Sequence, residues 1–101
     1  MAKVLVDVFS DESDNAVVHL PDTHYLGSVI QGDSLFLLHA DAMDILEELK
    51  HNPGSYGFYK AYSVAKSLEL RLEHYIATCK EHGVALNFRI EISIFDYDEP
   101  L

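Results

Sequence analysis

Residues 33–82 read DSLFLLHADAMDILEELKHNPGSYGFYKAYSVAKSLELRLEHYIATCKEH, and this stretch decides the fold. Leu35, Leu38, Ala42, Ile45, Leu46 and Leu49 recur at the three-and-four spacing that lines up one face of a helix. Asp41, Asp44 and Glu48 fall on the opposite face, with Glu47 at its edge. Asp33 or Ser34 is suited to cap the free amides of the first turn. The segment HNPGS, residues 51–55, then breaks the pattern, because proline cannot continue a helix and Asn-Pro-Gly favours a turn. A second helix is expected over 55–82, with Phe58, Ala61, Ala65, Leu68, Leu72, Tyr75 and Cys79 as its apolar seam. Gly83 is placed to close it in the left-handed conformation. Two amphipathic helices joined by so short a turn pack antiparallel.

Outside this pair the period changes from about four to two. Lys3 to Phe9 alternates in β-branched residues, and Ala16 to Leu20 is a second short apolar run. The turn-forming SDESDN, residues 10–15, lies between them. This reads as a hairpin with an acidic tip. A third short strand is expected near 28–31, between Gly27 and Gly32. Beyond the helices, Leu86, Phe88, Ile90, Ile92 and Ile94 alternate without a fault against Asn87, Arg89, Glu91 and Ser93, which predicts a strand over 85–95. The tail 96–101 (DYDEPL) is acidic and read as loose. The expected architecture is one α+β domain over 1–101. In it a small antiparallel sheet, N-terminal hairpin beside C-terminal strand, is covered on one face by the helical hairpin.

Composition limits what such a domain does. The chain has 101 residues, 17 acidic against 7 basic, for a formal net charge of -10. Up to Asn52 there are ten acids and two bases; after it there are seven and five. A concentrated negative field attracts basic partners and repels nucleic acid and anionic lipid. Neither a nucleic acid nor a membrane is expected as partner. The lone Cys79 excludes an internal disulfide and fits a reducing compartment. The opening MAKVLVDVFS lacks the apolar core of a signal peptide, so a cytoplasmic location is expected.

Candidate chemistry is sparse. Gly32-Asp33-Ser34-Leu35 matches the motif of a family of serine esterases, whose base sits in a C-terminal Asp-x-x-His element. No histidine here has aspartate three residues before it. A glycine turn followed by a helix cap accounts for the motif more simply. The six histidines, at 19, 24, 39, 51, 74 and 82, include no close pair at ligand spacing. His39 and Asp41 diverge on a helix and cannot share an ion locally. Cys79 reads as a core residue. No catalytic residue, metal ligand or cofactor is expected.

Surface features remain. Asp11, Glu12 and Asp14 at the hairpin tip and Asp41, Asp44 and Glu48 on the first helix form the candidate field for a partner. Leu37 projects near the acidic stripe, and Tyr59 and Leu70 point away from the second helix's seam; these are candidate anchors. The expected role is a non-enzymatic binding module that inhibits or sequesters a basic protein. A small oligomeric structural or regulatory subunit, or a minimal hydrolase or metal enzyme, are the alternative readings.

The segments Val8-Phe9-Ser10-Asp11-Glu12, Val17-Val18-His19-Leu20-Pro21 and Gly27-Ser28-Val29-Ile30-Gln31-Gly32-Asp33-Ser34-Leu35 resemble a family of small bacterial proteins of unknown function. That resemblance implies a short opening hairpin, a G-x-x-x-Q-G-D-[ST]-L stretch and a following helical pair. It implies no activity. In general type the chain is also similar to the immunity proteins of bacterial toxin systems, small acidic domains that bind a basic toxin, often a nuclease. That similarity implies an inhibitor with a toxin as partner.

Overall fold

The computed structural model describes residues 3–12 and 15–100. The chain forms an α+β arrangement in two units, residues 1–31 and residues 32–101. The first unit is a three-stranded antiparallel sheet in the order β1-β2-β3, with β1 at Asp7–Ser10, β2 at Val17–His19 and β3 at Gly27–Ser28. Asp7 pairs with His19 and Val8 with Val18, after which the register shifts so that Ser10 meets Val17. Such a bulge lets one strand carry an extra residue, here Phe9. The strand expected from Lys3 starts only at Asp7, because only from there does the run have a partner. The link from β2 to β3 turns at Leu20-Pro21-Asp22-Thr23, where Asp22 has φ 64° and the Thr23 amide donates to the Leu20 carbonyl. Proline second and positive φ third is the requirement of a type II turn, and Asp tolerates that backbone better than most residues. The His19 Nε2 and Thr23 carbonyl, 2.8 Å apart, tie the loop back to β2.

The second unit is the helical pair. The first helix, α1, runs Gly32–Leu49, and the second, α2, runs Tyr56–Glu81. Helix α1 starts at Gly32, so Asp33 and Ser34 lie inside its first turn rather than at its cap. Glycine is required at that first position, because the Tyr75 ring lies where a Cβ on residue 32 would be. Ser55 caps α2, its Oγ accepting from the Phe58 amide at 3.1 Å. At the other end Gly83 takes φ 69°, the Val84 amide donates to Cys79 and the Gly83 amide to Lys80. These two bonds are the Schellman closure, and glycine there behaves as expected.

Leu46, Ala65, Leu72 and Ile94 are fully enclosed, with Ala42, Met43, Phe58, Ala61 and Tyr62 around them. Three expectations are corrected here. On α1 the buried face is Leu35, His39, Ala42, Met43 and Leu46, while Leu38 and Ile45 are exposed. The helix is rotated toward the Met43 side because Phe88 stacks on Phe36 along that flank, ring centroids 4.6 Å apart. The strand expected over 85–95 does not form. Residues 84–93 bend at Asn87 and Glu91–Ile92 and pair with no strand among the described residues, and a 3-10 turn, η1, follows at Ile94–Asp96. A strand requires a neighbouring ladder as well as an alternating sequence, and this segment lies on the helices instead. On α2 the seam is as expected at Phe58, Ala61, Ala65 and Leu72, but Leu68, Tyr75 and Cys79 are only half-buried, and Glu69 joins it.

The acidic tail, read as loose, is held. Ser93 and Asp96 form a reciprocal capping box around η1, and Ile94 plugs the core. The Tyr97 hydroxyl donates to Glu47 on α1, and Lys66 pairs with Glu99 at 3.7 Å.

Candidate functional site

Helix α1 carries the acidic set. Leu37, Asp41, Asp44 and Glu48 occupy a single line at spacings of four, three and four, opposite the buried Leu35–His39–Ala42–Leu46 line, and all four are exposed. Leu37 is 61% exposed, a large apolar side chain heading a row of carboxylates. Among the described residues, none of Asp41, Asp44 and Glu48 takes part in an ion pair. Their charge is therefore turned outward, unlike that of Glu47. There the Lys50 ammonium and the Tyr97 hydroxyl both donate to the carboxylate, which holds its pKa below the ordinary range.

The other expected site residues are distributed. Asp11 and Glu12 are exposed just after β1, on the N-terminal unit; Asp14 lies outside the described residues. Tyr59 and Leu70 are half-exposed and eleven residues apart, hence on one side of α2. The α1 row faces away from that helix, so they do not join it. Tyr59 instead lines a recess of about 530 Å³ with Tyr56, Asp98 and Glu99. The Lys60 ammonium stands 5.2 Å from the Tyr56 ring and 5.8 Å from the Tyr59 ring. Aromatic faces beside carboxylates suit a cationic side chain. The tail acids of this recess escaped sequence reading because their position depends on the Lys66 and Glu47 contacts.

A wider cleft of about 760 Å³ opens between α1 and residues 86–92, lined by Phe36, His39, Met43, Asp44, Phe88 and Arg89 among others. Behind it lies a polar cluster that sequence reading missed. The His39 Nε2–H donates to Glu69 Oε1 at 2.8 Å, the Ile94 amide donates to the same oxygen at 2.8 Å, and the Ser93 hydroxyl donates to Oε2. His39 and Glu69 are both buried. A serine, a histidine and a carboxylate are thus together, but in the wrong order for nucleophilic catalysis. The carboxylate stands between the other two, and the serine proton is given to Glu69, not to the imidazole. The cluster is a clamp joining α1, α2 and the C-terminal segment. The available signal was a polar residue on each apolar stripe: His39 between Leu35 and Ala42, Glu69 between Ala65 and Leu72.

Ser34 of the Gly-Asp-Ser-Leu motif is partly buried in the first turn of α1, and its amide donates to the Asp33 carboxylate next to it. Cys79 is half-buried. Among the described residues no three His, Cys, Asp or Glu converge as a metal site would require, and no helix is long and apolar enough to cross a membrane.

These features define a small α+β protein with a row of exposed acids along one helix. A family described only as a family of unknown function, DUF6959, matches residues 1–88, and the chain belongs to it. Comparison with curated proteins and with solved structures finds no match.

Proposed function

We propose that this protein is a non-enzymatic binding module that captures a basic protein partner and inhibits or sequesters it, in the manner of an immunity protein facing a toxin nuclease. The observation that carries this reading is the α1 row: Leu37, Asp41, Asp44 and Glu48 share one outward line, and the three carboxylates have no cationic partner among the described residues. Such a row speeds encounter with a cationic surface, and an exposed leucine at its end supplies apolar contact once docked. Asp11 and Glu12 are further exposed acids, carried by the N-terminal unit. In the recess beside Tyr59, whose ring faces Lys60, and Glu99, which pairs with Lys66, the exposed Asp98 offers a further carboxylate for a lysine or arginine of the partner. Leu70 supplies a further apolar contact on the same side of α2 as Tyr59.

The test is parallel affinity capture with two baits, the wild-type protein and an Asp41→Lys/Asp44→Lys variant, over a series of salt concentrations. The expected result is a basic protein retained in stoichiometric amount by the wild type, weakened by salt and lost on the variant. Identical retention on both baits, or retention indifferent to salt, overturns the assignment.

A further inference from the structure

The segment Ala85–Ile92 has the sequence alternation of a strand but pairs with none among the described residues. Leu86, Phe88 and Ile90 are half-buried, and the intervening Asn87, Arg89 and Glu91 are exposed, so the segment has the two-faced alternation of a sheet strand. No backbone N–H from Ala85 to Ile92 donates a hydrogen bond among the described residues, whereas those of Val84 and of Ser93 through Tyr97 all do. The chain bends at Asn87 and at Glu91–Ile92, and Ile92, next on the apolar side, is left 59% exposed. A run of unpaired backbone with one apolar side offers donors and acceptors to another strand once its bends open.

The sequence specifies which strand. Laid antiparallel on its own copy about Ile90, the run sets Arg89 opposite Glu91 and Glu91 opposite Arg89. On the other face Phe88 meets Ile92 twice and Ile90 meets itself. Opposite charges and large apolar groups directly across an antiparallel pair both stabilise it. A basic peptide is a poorer fit, because Arg89 stands at the centre of the edge. We propose that a second copy of this chain pairs along Phe88–Ile92 about a two-fold axis through Ile90, straightening the bend at Glu91–Ile92 and covering Ile92. The axis makes each contact occur twice, as an isologous interface requires. This goes beyond the reading of α1, which the pairing does not use.

The test is molar mass in solution for the wild type, for Arg89→Glu and Glu91→Arg separately, and for an equimolar mixture of the two variants. Each single reversal places like charges opposite each other in its own dimer; the mixture restores opposite charges at both positions. The wild type is expected at twice the chain mass, each variant at the chain mass with an unchanged circular dichroism spectrum, and the mixture again at twice. Amide hydrogen exchange in 88–92 is expected to slow as wild-type concentration rises. A monomeric wild type, a dimer indifferent to both reversals, or a mixture that stays monomeric overturns the proposal. Because Asp41 and Asp44 are intact in every sample, loss of the dimer is read separately from loss of partner capture.

Discussion

His39 of α1 and Glu69 of α2 meet across the helical pair at 2.8 Å, each on the apolar stripe of its own helix. Taking a carboxylate out of water is costly unless donors replace the solvent, and three do so: the imidazole, the Ser93 hydroxyl and the Ile94 amide. The pair therefore fixes how the helices and the C-terminal segment fit together more than it adds net stability.

Glu69→Ala strands all three donors and is expected to cost about 3–5 kcal/mol in chemical denaturation. His39→Leu alone leaves the carboxylate with two donors and costs less. The double change His39→Leu/Glu69→Leu removes both polar groups and is expected to be clearly less destabilising than the sum of the single ones. Strict additivity across this cycle refutes the clamp.

At Gly32 the sign of a substitution depends on a second residue. In Gly32→Ala the new methyl group meets the Tyr75 ring, which stacks with Phe88 at 6.4 Å between centroids and cannot turn aside freely. The expected loss is about 1–3 kcal/mol, the usual range for overpacking. In a Tyr75→Ala background the same change becomes neutral or stabilising, because alanine is the better helix residue. Thermal melts of the four proteins check this.

The Tyr97–Glu47 contact sets a pH signature. The hydrogen bond to Glu47, then burial, pushes the Tyr97 hydroxyl from 10.0 up to about 12. A raised folded value means stability is complete below pH 10 and lost as pH rises from 10 toward 12. Glu47 is held below its ordinary 4.5 by donation from Lys50 and Tyr97, so its contribution is present above 4.5 and lost as pH falls through the lowered value. The stability difference between wild type and Tyr97→Phe is expected to be flat at intermediate pH and to shrink at both ends. Denaturation midpoints across pH measure it, and a difference independent of pH contradicts the contact.

Once a partner is in hand, Asp41→Lys/Asp44→Lys is expected to slow association by about 10-fold or more at low salt and to have a smaller effect at high salt. Stopped-flow association rates are the readout. A slowing that persists undiminished at high salt assigns these residues to packing rather than to steering.

The sequence by itself determined what local interactions govern. The helical pair, its Asn-Pro-Gly turn, the Ser55 and Gly83 ends and the outward acidic line of α1 depend on residues within a turn or two of one another, so spacing is enough to read them. The alternation of Leu86 to Ile90 likewise gave the right inward and outward sides, whereas Ile92 is exposed. Tertiary structure decided the rest. Apolar residues span a wide arc of α1, and burial of Met43 over Ile45 was settled by Phe88 and the C-terminal segment packing on one flank. His39 and Glu69 are thirty residues apart, and only the antiparallel docking of two helices makes a partner of each for the other. The tail was placed by Ile94 and Tyr97 finding α1 and α2, contacts whose reward comes from burial and donor–acceptor geometry that no local spacing encodes.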